Sequence, residues 1–262
     1  MGADIENGVE QVTAPAHYLY CVVPCAEMAC LGEIGIDRQR VFTIPHQDLS
    51  VVAHRCAAQA YVSPDNAVVE AWVLAHQRVV DAAWERFGTV IPFSFDVLVK
   101  GTELEALDWL RKTYEDLKEK LALLEGKAEY GVQIGWDPRA ILNQIAQADE
   151  QIRDLQRRIQ AGREGTAYLC EQKVEKLLKQ KLEEEAQRYF KYFYQRIRPC
   201  VQDLCVERVS KGKEQQMLAN FSCLAEKAAP VRLAEELDRI RTIQGFTVRF
   251  TGPWPPYSFV SP

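Results

Sequence analysis

The sequence predicts an α+β protein of two domains, the second a modified ferredoxin-like βαββαβ unit whose first crossover is a helical hairpin. Three observations predict it. The second half reads, from apolar periodicity and turn signals, as strand, helix pair, strand, strand, helix, strand. The helix after Asp137-Pro138 places Ile141, Ile145, Ala148, Ile152, Leu155 and Ile159 at alternating spacings of four and three, a heptad seam that calls for a coiled-coil partner. Gly126 closes a long amphipathic helix and sets the domain boundary. The expected layout is a disordered tail over 1–16, an N-terminal α+β domain over 17–126, the ferredoxin-like domain over 127–251, and a Pro/aromatic tail over 252–262.

The N-terminal half opens on a β-rich run, His17 to Val23. Turns around Gly32 and Gly35 lead to Val41–Ile44 and Leu49–Ala53, which read as a hairpin across Pro45 to Asp48. Ser63-Pro64-Asp65-Asn66 starts a helix with Val69, Trp72, Val73, His76, Val79, Val80, Ala83, Trp84 and Phe87 at helical spacing. Thr89 to Phe95 is a strand, and Pro92 assigns it to an edge or a bulge. A long helix follows, with Leu104, Leu107, Leu110, Tyr114, Leu117, Leu121 and Leu124 on one face.

In the second half, Ala128 to Trp136 reads as a strand, and Asp137 with Pro138 makes an N-cap with proline at the first helical position. Gly162 to Gly165 breaks the heptad helix. A second long helix then carries an aromatic stretch from Tyr189 to Ile197 and ends at Pro199. Helices joined by a short glycine-bounded turn pair antiparallel, so the tip projects into solvent while the aromatic base packs on a sheet. Strands over 200–209 and 216–224 flank a turn at Ser210 to Lys213, a helix starts at Pro230, and Phe246 to Thr251 is the last strand. The tail beyond it holds Trp254, Tyr257 and Phe259 among Pro253, Pro255 and Pro256. Proline fixes φ in the unfolded chain and reduces the entropy lost on folding, so this segment reads as a clasp that docks on its own molecule.

Hydrophobic content of 47% and charged content of 26% describe a globular protein. The net charge of −5 argues against a nucleic-acid or anionic-membrane partner, and no run reaches the length of a membrane span. No export signal is read at the N-terminus, so the eight cysteines are expected reduced in the cytoplasm. None forms C-x-x-C, and most read as small buried hydrophobes.

Catalytic chemistry has little support. No G-x-S-x-G, H-E-x-x-H, Walker loop or G-x-G-x-x-G is present, and no cofactor is expected. His76, on an apolar helix face, reads as a hydrogen-bonded core histidine rather than a catalytic one. Trp136 and Asp137 read as a packing residue and a helix cap. The outsider reading is a small enzyme or metal-binding protein using His46, Asp48 and His54 around the hairpin, or the cluster Cys21, Cys25 and Cys30. The hairpin arm has two readings, a crossover that stabilises its own domain or a partner-binding arm with Arg153, Arg157, Arg158 and Arg163 on its exposed faces.

Several segments together resemble the gas vesicle protein F/L family. They are Tyr18 to Val23, Ala75-His76-Gln77-Arg78-Val79-Val80, Val90 to Phe95, Gly126 to Val132 with Trp136-Asp137, and Gly252 to Phe259. The match spans about residues 17–260, and its strength lies in the order of the pieces and in the terminal motif. The family's strand commonly carries Arg and then Phe-Gly where this chain has Ser94, Phe95 and Asp96, so a role tied to that arginine does not carry over. The resemblance implies two α+β domains and a non-enzymatic minor component or assembly factor of gas vesicles. It implies as partners the small hydrophobic shell protein and other accessory vesicle proteins, and a place in the cytoplasm or at the vesicle. The leading expectation is an accessory protein that shields the shell subunit during nucleation and assembly; the alternative is a structural component built into the shell. Candidate contact surfaces are the edge strand with Val90, Ile91, Phe93 and Phe95, the arm with Arg153, Arg157 and Arg163, and the tail with Trp254, Tyr257 and Phe259.

Overall fold

The computed structural model describes residues 14–162, 164–209 and 216–260. It is a mixed structure of helices and sheets in two compact units. One unit runs to Lys127 and takes in the chain again from Trp254; the other is Ala128–Pro253.

The first unit contains β1 (Pro15–Val23), β2 (Cys30–Gly32), β3 (Val41–His46), β4 (Leu49–Ala57), α1 (Asn66–Phe87), β5 (Ile91–Pro92), β6 (Leu98–Lys100) and α2 (Glu103–Leu124). Its sheet runs β2-β3-β4-β1-β5, with β6 also paired to β1. All of β1 after Pro15 is buried, and both α1 and α2 pack on it. Continuous burial is what a central strand with two covered faces requires, and it accounts for the apolar run at Leu19 to Val23. Asp65 caps α1 by accepting from Ala67 N at 2.9 Å, and Thr102 with Glu105 forms a capping box on α2.

Three expectations for this half need correction. Pro15 and Ala16 are not tail: they pair with Ala57 and Cys56, and the Pro15 carbonyl accepts from Gly101 N at 2.8 Å. Residues 1–13 of the expected tail lie outside the described residues. The strand expected from Thr89 to Phe95 shrinks to Ile91–Pro92, because Pro92 has no N–H to donate and Asp96, at φ 69°, turns the chain before it resumes as β6. The β3–β4 turn is tighter than expected: Pro45 and His46 belong to β3, and only Gln47, at φ 53°, and Asp48 remain between the strands.

The second unit contains β7 (Lys127–Trp136), α3 (Pro138–Ala148), α4 (Glu150–Ala161), α5 (Glu164–Ile197), β8 (Asp203–Val206), β9 (Gln216–Glu226), α6 (Val231–Arg241) and β10 (Phe246–Trp254). Its sheet order is β10-β7-β9-β8. β7 alternates half-buried and buried residues along its whole length, the pattern of a strand with one core face. The turn expected at Ser210 to Lys213 lies outside the described residues. The single heptad helix expected from Pro138 is two helices. Asp149 ends α3 and caps α4, accepting from Ile152 N at 3.0 Å and pairing with Lys181 Nζ at 3.0 Å. The break takes Ala148 out of the seam and leaves it exposed, while Ile141, Ile152 and Leu155 stay buried. An aspartate side chain offers the backbone an alternative to continuing the helix, and the ion pair to α5 holds it there.

The base of α5 rests on aromatic contacts. Phe193 and Tyr189 lie 5.1 and 4.6 Å from the Phe246 ring of β10, and Phe190 lies 5.7 Å from Phe221 of β9. Arg196 of α5 grips Glu236 of α6 with two hydrogen bonds, at 2.5 and 3.0 Å, and Arg239 adds a third at 3.1 Å. Burial works to raise the Glu236 carboxyl, but the two arginines outweigh it and the net direction is down. Replacing Glu236 with Gln should lower unfolding free energy by about 1–3 kcal/mol in urea melts at neutral pH. A lowered carboxylate stabilises above its unfolded pKa and loses that contribution as pH falls through the folded value. The gap between the two proteins should therefore close below about pH 4.

Candidate partner-binding surfaces

The centre of the first unit is a buried network of phenols and imidazoles. Tyr18 and Tyr20 are fully buried on β1, beside His54 of β4 and His76 of α1. His76 Nε2 lies 3.1 Å from the Phe93 carbonyl, which only accepts, so the proton sits on Nε2. The Tyr18 hydroxyl then donates to His76 Nδ1 at 2.9 Å and accepts from Asp96 N at 2.9 Å. The same logic holds next door. Tyr20 accepts from Ile36 N at 3.0 Å and donates to His54 Nδ1 at 2.7 Å, which leaves Nε2 of His54 to donate to Tyr61 at 3.1 Å. Burial lowers both imidazoles to about 4; the Phe93 carbonyl opposes this weakly at His76, as does Asp37 at His54. Burial raises both phenols. All four groups are neutral, and both ring nitrogens of each histidine are engaged. This chemistry suits a rigid core rather than proton transfer to a substrate.

The hairpin residues proposed as an enzyme site do not converge. His46 packs edge-on against Tyr114 at 5.5 Å, and Asp48 accepts from the Tyr114 hydroxyl at 2.5 Å and pairs with Lys118 at 3.0 Å. These contacts tie the β3–β4 turn to α2. His54 is five residues along β4 from Leu49, the partner of His46, which is about 17 Å at strand rise. The cysteine cluster also disperses. Cys21 is buried in β1, Cys25 is half-buried, and Cys30 is exposed on β2, three strand positions from β1 or about 14 Å across the sheet. Among the described residues no three His, Cys, Asp or Glu side chains are grouped to hold a metal ion. Sequence reading missed the Tyr–His network because its partners are 34 and 58 residues apart, and it missed the tie of Asp48 to α2 for the same reason.

The edge residues are mostly interior. Val90 and Ile91 are buried, so their side chains belong to the core. Phe93 lies edge-on to Trp109 at 5.5 Å, and Phe95 packs near Tyr18, Tyr61 and His76, with both rings only half-buried. The arm is more open. Arg153, Arg157 and Arg158 are exposed on α4; Arg158 pairs with Asp154 at 2.9 Å and Arg157 approaches it at 3.9 Å. Arg163 lies outside the described residues. On α5, Tyr168 and Leu169 are 61% and 69% exposed, a solvent-facing apolar pair that the heptad reading did not single out.

The tail differs from expectation at its start. β10 runs three residues past Thr251 to Trp254, and from Trp254 the chain belongs to the first unit rather than forming a region of its own. Trp254 is 44% exposed, Pro255 and Pro256 are buried, and Tyr257 and Phe259 are half-buried in a single 3₁₀ turn.

The chain matches the family model described as gas vesicle synthesis protein GvpL/GvpF over residues 16–261. It belongs to the GvpL/GvpF family. Gas vesicle protein L1 of Halobacterium salinarum is 31% identical over 259 residues, covering 95% of this chain and 92% of that protein. Gas vesicle protein F of Dolichospermum flosaquae is 21% identical, covering 92% and 96%. The crystal structure of gas vesicle protein GvpF from Anabaena sp. PCC7120 superposes with a TM-score of 0.74 at 20% identity, covering 95% of this chain and 99% of that one. The GvpL/GvpF family is one of gas vesicle structural and accessory proteins, and a gas-vesicle role follows for this member. Among the described residues no helix is long and apolar enough to cross a membrane.

Two outcomes follow for this GvpL/GvpF chain. Between about pH 6.5 and pH 4 the unfolded histidines bind protons that folded His54 and His76 refuse, so stability is complete above 6.5 and falls as pH drops through that window. Urea melts across the range should show a loss approaching roughly 3 kcal/mol per histidine. Deleting Trp254 to Pro262 uncovers the surface that Pro255 and Pro256 fill, and should lower the melting temperature by about 4–8 °C in calorimetry.

Proposed function

We propose that this protein is an accessory factor that binds the hydrophobic gas vesicle shell protein and assists vesicle nucleation and assembly. The observation that carries the proposal is family membership over nearly the whole chain, joined to an arm that presents charge and apolar side chains to solvent. A shell subunit that excludes water from a gas space exposes apolar β-surface while it is free, and such surface aggregates. A partner that offers a helix face or a strand edge shields it without any chemical step. Other accessory vesicle proteins are the remaining partners in this reading, and nucleic acid and lipid have no place in it.

The arm is the preferred contact surface. Arg153 has no ion-pair partner among the described residues, and Arg157 shares Asp154 with Arg158. The arm projects from a unit that we read as a modified ferredoxin-like domain. The strand order β10-β7-β9-β8 supports that reading, because it places the last and first strands of the unit side by side, followed by the third and the second. Phe93, Phe95 and Trp254 are secondary candidates, being partly exposed.

Light scattering of purified shell protein should fall when this protein is added in excess. Charge reversal at Arg153 and Arg157 should weaken the effect at least tenfold in the concentration required, with melting temperature unchanged within a degree or so, because surface substitutions rarely alter stability. Undiminished shell aggregation in excess protein would sink the proposal. Retention of the chain on purified vesicles through a strong urea wash would favour the structural-component reading instead.

A further inference from the structure

The first unit holds a cavity of about 490 Å³ on the sheet face that carries Phe42 and Arg55, within the size range of small-molecule sites. Its wall includes Cys30, Arg40, Phe42, Arg55 and Glu103. Arg40 is held by one hydrogen bond, from Nε to Cys30 Sγ at 3.3 Å, which leaves both terminal nitrogens without a partner among the described residues. Arg55 lies 5.6 Å over the Phe42 ring and gives one nitrogen to Glu103 at 2.5 Å. Two guanidinium groups face one carboxylate in the lining, and Glu33 lies close enough to act on Arg40.

His17 packs against this wall from behind and reports on it. It is 3% exposed, and among the described residues neither ring nitrogen makes a hydrogen bond of good geometry, although the Gly101 backbone lies close enough to act on the ring. His17 stands opposite Arg55 in the β1–β4 ladder, and Phe42 stands opposite Ala53, two residues from Arg55. All three side chains therefore share one face of the sheet. The His17 ring meets Phe42 edge-on at 6.1 Å, so it lies directly behind the cavity wall.

We propose that this cavity binds a small organic anion with a flat apolar body, an arene carboxylate or sulfonate, with its ring on Phe42 and its acid group on Arg40 and Arg55. A guanidinium fork matches an oxyanion in geometry as well as charge, and an aromatic wall favours a planar ligand over inorganic phosphate. The site is separate from the arm and independent of the shell-protein reading.

The test uses the full chain and no vesicle component. Anilinonaphthalene sulfonate is titrated by fluorescence, with N-phenylnaphthylamine, the same rings without the acid, as the uncharged control. One sulfonate per chain should bind at least tenfold more tightly than the control. Arg40→Gln and Arg55→Gln should each weaken it about tenfold with unchanged melting temperature. Added benzoate should compete, and should shift the ring nitrogens of ¹⁵N-labelled His17 while leaving those of His54 and His76 in place. Equal binding of the uncharged control, affinity unchanged in both arginine variants, or a His17 signal that stays still would each overturn the proposal. Should one arginine variant fail to fold, the other decides.

Discussion

Two phenol hydroxyls in the middle of a fully buried strand constrain the whole first unit. β1 pairs with β4 on one side and with β5 and β6 on the other, and no water reaches Tyr18 or Tyr20. An unpaired buried hydroxyl costs on the order of 1–3 kcal/mol, so each needs both a donor and an acceptor in place. The fold meets that demand with His54 from the neighbouring strand, His76 from α1, and the backbone N–H groups of Ile36 and Asp96 from two loops. One strand thereby fixes a second strand, a helix and two connections. Asp96 completes the arrangement by accepting from Tyr61 N at 3.1 Å, which ties the loop before α1 to the loop before β6.

The second unit solves a different problem. A helix pair with a narrow apolar seam buries too little surface to be stable alone. Its anchorage comes from the other end of α5, where Tyr189, Phe190 and Phe193 meet Phe221 and Phe246 of the sheet and Arg196 holds Glu236. With one end fixed this way, the outer helix α4 is free to carry charge on its exposed face. The break at Asp149 costs the seam one apolar position, and the added cap and ion pair offset it.

The contrast between the two units bears on function. All four histidines lie in the first unit, where every ring nitrogen of His54 and His76 is engaged and burial keeps these two neutral. The residues that resemble reactive groups in the sequence serve rigidity. The helical arm of the second unit, by contrast, presents Arg153, Arg157 and Arg158 and the apolar pair Tyr168 and Leu169 to solvent. The chain shares these features as a member of the GvpL/GvpF family, whose model it matches over residues 16–261.

Sequence by itself determined the elements whose signal is local. The caps at Asp65 and Asp137 sit beside the backbone they serve, the alternation in β7 is written in one strand, and the order of strands and helices in the second half follows from periodicity. Asp149 shows the limit: the residue was legible, but a capping aspartate and an exposed helical one look alike until Lys181 of α5 is placed against it. Tertiary structure alone decided the rest. It placed His54 about 17 Å from His46, moved Val90 and Ile91 inside, gave Trp254 onward to the first unit, and set the ring of His17 behind Phe42. Each of these depends on which distant strands lie side by side, and strand pairing is a long-range choice that no window of residues encodes.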